Sequence, residues 1–315
     1  MATGRQLDPH ARALLDVLDQ AGGPALNEMS PEDARVYFAA GRDFFAADPE
    51  PVASVEDIHV EHLGHRLEMR AYRPNGGDGQ LKPGLVYFHG GGWVLGDLES
   101  QDPLCRKLCN ASGAVIVSVN YGHAPEVRFP VANEEAAAAF DYVSSHAATF
   151  GIDDRRLAIG GESAGGAIAA VVAQREAGDG RRRIAAQLLC YPVTDLTRSE
   201  TAREPQQGYF VTAPMLRWFT EHYLGDADPA DPAASPLRSE DLSGLPPTIL
   251  ILCGFDPLLQ EGIDYRDRLV DAGVSVTTRL YPGQIHAFLT MDRQIPEAHD
   301  AIVEIARLLR QSLAP

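Results

Sequence analysis

The run Gly161-Glu162-Ser163-Ala164-Gly165 constrains this chain more than any other five residues. It has the pattern G-x-S-x-G and stands where the local character changes. Residues 156–160 (Arg-Leu-Ala-Ile-Gly) form a short apolar run suited to a buried parallel strand, and residues 164–173 are small and apolar, suited to a closely packed helix. A serine at that junction sits on a sharp strand-to-helix turn in a strained backbone conformation, for which glycine neighbours make room. The turn lifts the hydroxyl clear of the sheet and aims the helix N-terminus at negative charge formed there. Taken alone, the pentapeptide also fits a glycine-rich turn with an incidental serine. Its meaning depends on the rest of the chain.

From residue 83 onward, strand-like and helix-like stretches alternate. Strands are expected at 85–88, 114–119, 157–160, 184–191, 248–253 and 274–281, and helices at 102–111, 133–146, 164–177, 260–272 and 297–313. Such alternation, with strands apolar throughout, builds an α/β fold: a mostly parallel sheet flanked by helices on both faces. Ahead of it, Ile58 and Val60, then Leu67, Met69 and Ala71, alternate with polar residues around Gly64, which predicts an antiparallel hairpin. His59 and His62 fall on opposite faces of that hairpin and His65 in its turn, so they do not converge on a metal.

The first fifty residues are expected to be helical. Asp8-Pro9 caps and opens one helix carrying Ala11, Leu14, Leu15 and Leu18, and Gly22-Gly23-Pro24 stops it. Ser30-Pro31 opens another, followed by Val36, Tyr37, Phe38, Phe44 and Phe45, which together call for a partner surface. Residues 195–247 break the later alternation with a polar loop, Gly208-Tyr209-Phe210, a helix over 213–223 and an Asp/Pro/Ala-rich connection. The expected division is therefore 1–50 as the N-terminal part of a helical cap, 51–194 as the first part of the core, 195–247 as an insertion completing the cap, and 248–315 as the second part of the core.

The formal net charge of −17 argues against nucleic-acid binding and against anionic membrane surfaces. No apolar stretch approaches the roughly 20 residues needed to span a bilayer, and the first residues lack the apolar core of a secretion signal. Cys190 and Cys253 lie in apolar runs as buried thiols, and Cys105 and Cys109 have no further Cys or His nearby to complete a metal site. A reducing, cytoplasmic location is expected, with no metal site at these cysteines. A homodimer is entertained as the assembly; nothing in the sequence fixes it.

Acyl transfer needs a nucleophile, a base, a group that orients the base, and donors for an oxyanion. Ser163 is the candidate nucleophile. His286 follows the expected strand at 274–281 by a short loop and is the candidate base, with His123 as its rival. Asp256 ends the strand at 248–253 and is the candidate orienting acid, with Asp195 as its rival. The order Ser163, Asp256, His286 is that of the α/β-hydrolases. His89-Gly90-Gly91-Gly92-Trp93 directly follows the strand at 85–88, and glycines let backbone N–H groups approach an oxygen. Gly90 and Gly91, with Ala164 after the serine, are the expected oxyanion donors. A phosphate-binding reading of the triplet lacks a Walker lysine and a helix directly after it.

The ordered set of motifs resembles the hormone-sensitive lipase-like, or family IV, esterases of the α/β-hydrolase fold. The matching segments are Tyr87 to Val94, Gly96-Asp97-Leu98-Glu99, Ala124-Pro125-Glu126 with Phe129-Pro130, Gly161 to Gly166, Gly208-Tyr209-Phe210, Phe255-Asp256-Pro257-Leu258 and His286-Ala287-Phe288. The resemblance covers nearly the whole chain. It implies a cap built from the N-terminus and the mid-chain insertion, and hydrolysis of short- to medium-chain carboxylic esters, small molecules, without metal or organic cofactor. Three positions depart from the pattern. Glu162 stands where the usual subgroups carry aspartate or threonine, Tyr121-Gly122-His123 lacks the usual arginine, and Ala167 replaces a frequent asparagine. The same triad would also serve an amidase such as an arylformamidase. A receptor on the same fold, which lacks the catalytic histidine, fits less well because His286 is present.

Overall fold

The structure, a computed structural model, describes residues 6–62, 64–76, 79–198 and 209–314. Gly208 and the end of the polar loop before it therefore lie outside the described residues. Among the described residues eight strands form one sheet: β1 (Ser54–His62), β2 (His65–Arg73), β3 (Lys82–Phe88), β4 (Val115–Asn120), β5 (Ile152–Glu162), β6 (Ala186–Cys190), β7 (Thr248–Phe255) and β8 (Val276–Ile285). Their order is β1-β2-β4-β3-β5-β6-β7-β8. The β1–β2 and β2–β4 pairs are antiparallel, and all pairs from β4 to β8 are parallel.

Both faces of the parallel part are covered, which is why its strands read as unbroken apolar runs. Successive residues alternate between two separate cores. Val86, Phe88, Val117, Ile159 and Leu250 face one, with α5 (Val131–Ser145) and α7 (Ala164–Gly178). Leu85, Tyr87, Ile116, Ala158, Ile249 and Ile251 face the other, with α1 (Pro9–Ala21), α4 (Leu98–Ser112) and α10 (Glu297–Ser312). The remaining α-helices among the described residues are α2 (Pro31–Ala40), α3 (Arg42–Phe45), α6 (Ala147–Phe150), α8 (Ala213–Leu224) and α9 (Leu259–Asp271).

Several boundaries differ from expectation: strand β5 begins at Ile152, ahead of the expected 157, and two others have a visible local cause. Helix α4 begins at Leu98, ahead of the expected start at 102, because Asp97 and Ser100 close a reciprocal capping box. Pro103 is then an interior helix residue. Strand β8 extends through Pro282-Gly283 to Ile285 instead of ending at 281, and its pairing with β7 shifts register between Cys253 and Phe255. Gly254 makes that irregularity possible: a Cβ there would lie 2.0 Å from the Pro282 carbonyl oxygen.

Helix α2 also departs from the reading of its sequence. Ala34 and the partly buried Phe38 face the molecule, whereas Val36 and Tyr37 are 69% and 52% exposed. Residues four apart share a helix face; Val36 lies roughly opposite that face and Tyr37 on its flank. The anchor is instead Arg35. Its guanidinium donates to the carbonyl oxygens of Val94 (2.9 Å) and Ala124 (2.7 Å) and to both oxygens of Glu126 (3.0 and 2.6 Å). The paired guanidinium lowers the Glu126 carboxyl to about 2.

Replacing Arg35 with alanine should cost about 1–3 kcal/mol, since part-buried carbonyls lose their donor; denaturant unfolding measures it. The ion pair contributes less, about 1 kcal/mol or below, because it is largely solvent-exposed. Its share is complete above the ordinary glutamate range and fades as pH falls towards the depressed value, so Glu126→Gln should flatten the acid side of the melting-temperature profile.

Candidate active site

The C-terminal ends of β3, β5, β7 and β8 point to one edge of the sheet, and the chemistry-bearing residues collect there. Ser163 is the single residue between β5 and α7. Its φ of 54° and ψ of −119° are strained for a side-chain-bearing residue. Close backbone approach holds the turn in place. A Cβ on Gly161 would lie 2.4 Å from the Gly165 carbonyl oxygen, and one on Gly165 would lie 2.1 Å from that of Phe88 and 2.4 Å from that of His89. The β5–α7 turn therefore presses directly on the chain leaving β3. Ser163 N–H donates to the Cys190 carbonyl at 2.9 Å, which ties the turn to the end of β6 as well.

The three distant residues expected to form a relay meet in space. His286 Nε2 lies 2.9 Å from Ser163 Oγ, and His286 Nδ1 lies 2.7 Å from Asp256 Oδ2. Asp256 is an acceptor, so Nδ1 carries the proton and Nε2 is left to accept from the serine hydroxyl. The second aspartate oxygen accepts the Leu258 N–H at 2.8 Å. Asp256 and His286 are buried, while Ser163 is partly exposed. The rivals are engaged elsewhere. His123 packs edge-on against His89 and Tyr121, and burial lowers it to about 3. Asp195 pairs with Arg238 and accepts from Thr197.

The glycine loop departs in part from its reading. Gly90 N–H donates to Glu162 Oε1 at 3.4 Å. The N–H groups of Gly91, Gly92 and Ala164 have no acceptor among the described residues. Gly91 has φ 117° and a Cβ there would meet the Leu95 carbonyl oxygen at 2.2 Å, so no side chain fits. His89, which opens the loop, is buried and donates through Nδ1 to the Gly90 carbonyl at 2.7 Å. Tyr121 stacks on its ring and donates to its carbonyl at 2.8 Å.

Helix α8 lies against this loop. Phe219 packs so closely that a Cβ on Gly92 would fall 2.3 Å from its ring, and Tyr223 stacks on Trp93 at 4.1 Å between centroids and 5° between planes. Phe45 meets Phe210 at 5.9 Å, and Tyr209 meets Phe255 at 4.8 Å. Phe44 remains 38% exposed. From the sequence, Glu162 beside the nucleophile has two readings, a support for the neighbouring loop or a solvated turn carboxylate; the structure buries it beneath the loop. No cluster of three or more potential metal ligands occurs among the described residues, and none of the described helices is long and apolar enough to cross a membrane.

This architecture defines a class, and comparison with known proteins agrees. The chain belongs to the family described as having the alpha/beta hydrolase fold, whose model matches residues 85–290, and the hormone-sensitive lipase-like resemblance stands. It is 34% identical to an ethyl acetate hydrolase of Pseudomonas putida, over 98% of this chain and 99% of that protein. It is 39% identical to the carboxylic ester hydrolase LipN of Mycobacterium tuberculosis, over 91% of this chain and 78% of that one. An ester hydrolase from the metagenome of Lake Arreo, solved with a bipyridine phosphonate derivative, superposes with a TM-score of 0.94 at 38% identity, covering 97% of this chain and 99% of that one.

The contact between the serine turn and β3 gives a stability prediction. Gly165→Ala drives a Cβ into two carbonyl oxygens and should cost more than about 3 kcal/mol or prevent folding. Gly178→Ala, in the same helix with nothing within 4 Å of its Cβ position, should be neutral or stabilising. Chemical denaturation of the two variants checks the contrast.

Proposed function

We propose that the protein is a serine carboxylesterase in which Ser163, His286 and Asp256 form the catalytic triad. The observation that carries this is the unbroken relay from Ser163 Oγ through His286 to Asp256 beside backbone N–H groups with no acceptor. The names of its relatives, an ethyl acetate hydrolase and a carboxylic ester hydrolase, support the same bond type. Short- to medium-chain esters of carboxylic acids are the substrates.

In this reading His286 Nε2 takes the proton as Ser163 Oγ attacks the ester carbonyl carbon. The carbonyl π bond opens, and the negative charge on oxygen is held by the N–H groups of Gly91, Gly92 and Ala164. Gly90, an expected donor, is left out because its N–H is already engaged by Glu162. Asp256 keeps the imidazole in the correct tautomer and stabilises its cation. The imidazolium gives its proton to the departing alcohol, leaving an acyl-serine. Water, deprotonated by the same histidine, then releases the acid and restores Ser163. Helices α2 and α3 and the described part of the 195–247 insertion act as the cap, with α8 covering the oxyanion loop, whereas α1 packs in the core of the sheet.

Turnover on a p-nitrophenyl ester ladder from acetate to laurate tests the assignment. Ser163→Ala should lower kcat by about 10⁴-fold or more on the best substrate; equal rates would show that another group is the nucleophile.

A further inference from the structure

The reaction above makes no use of Glu162. This carboxylate is adjacent in sequence to the nucleophile yet 3% exposed. It accepts from three separate segments: Gly90 N–H in the glycine loop at 3.4 Å, Gln101 Nε2 on α4 at 2.9 Å, and the Tyr191 hydroxyl after β6 at 2.7 Å. The Gly90 Cα faces it so closely that a Cβ would lie 3.1 Å from Glu162 Cγ. The Tyr191 ring lies 4.9 Å from that of His286. A carboxylate offers about four acceptor sites and no donor, which suits a point where three donors converge.

We propose that Glu162 is a positioning residue for the oxyanion loop. By drawing the Gly90 N–H into the interior it fixes the peptide plane that precedes Gly91 and Gly92. The N–H groups left for an oxyanion are then those of the following two residues. Through Tyr191 the same carboxylate fixes the ring against which His286 rests. Burial pushes the Glu162 carboxyl upward, and the Tyr191 hydrogen bond opposes this most. The three donors are what makes a carboxylate tolerable at this depth. Without them, or without it, buried polar groups on four segments lose their partners together.

This inference rests on the esterase reading for its turnover assay, so a second readout is independent of ester chemistry. That readout is inactivation by diisopropyl fluorophosphate, in which Ser163 Oγ bonds to phosphorus, fluoride leaves, and the serine proton passes to His286. The full-length parent is compared with Glu162→Ala, Glu162→Gln and Tyr191→Phe, each checked for folding by thermal melting. Glu162→Ala should lower both kcat and the inactivation rate by about 10²-fold, the cost of misplacing one oxyanion donor, with KM within about twofold. Glu162→Gln should recover both to within about fivefold of the parent, because its amide oxygen can accept from Gly90 and Gln101 while its N–H₂ donates to the Tyr191 oxygen. Tyr191→Phe should lose about fivefold in both, with KM unchanged.

A folded Glu162→Ala protein within about twofold of the parent in both rates would overturn the proposal, as would a glutamine variant no better than alanine or a rise confined to KM. Should the alanine variant fail to fold, parent-like rates for Tyr191→Phe would overturn it equally. A parent that reacts with the fluorophosphate but turns over no ester would sink the substrate reading alone, and the inactivation rates would still decide the part played by Glu162.

Discussion

The main-chain contact between the β5–α7 turn and the end of β3 is the constraint on which the rest of this site depends. Gly165 lies against the carbonyls of Phe88 and His89 with no room for a single carbon. That contact stores the strain of Ser163, whose positive φ is tolerated because the surrounding backbone leaves no alternative. It also brings the serine next to the glycine loop leaving β3. One approach thus sets both the angle of the hydroxyl and its distance from the unpaired N–H groups.

Around this contact the buried charges are handled in different ways. Asp256 is held by the Leu258 N–H and the His286 ring, and Glu162 by three donors from separate segments. Neither is left without compensation, which a buried carboxylate could not sustain. The elements outside the sheet press inward on the same loop. Arg35 grips the carbonyls of Val94 and Ala124 from one side, while Phe219 and Tyr223 pack on Gly92 and Trp93 from the other. The loop carries a glycine where Phe219 approaches most closely, so part of its shape is imposed by its neighbours.

Much of this was legible in the sequence because it depends on local rules. The apolar runs, the small-residue helix after Ser163 and the chain order of Ser163, Asp256 and His286 gave the sheet and named three residues that the structure joins. The errors came where local rules compete. The expected start of α4 at 102 gives way to the Asp97–Ser100 capping box, which lies a turn earlier. Pro282-Gly283 suggested a loop, but the strand passes through them by shifting register against β7. Val36 and Tyr37 suggested a buried face, whereas Arg35 between α2 and the core provides the anchor.

What the sequence determined by itself was the periodicity, the glycine positions and the identities of the groups able to do chemistry, because each follows from the covalent character of single residues and their near neighbours. What only the tertiary structure decided was which N–H groups stay unpaired. Gly90, Gly91 and Gly92 are identical in sequence terms, and they differ because Glu162 reaches one of them. That depends on a buried carboxylate 72 positions away meeting the loop across a packed sheet edge, a distance that no local pattern encodes.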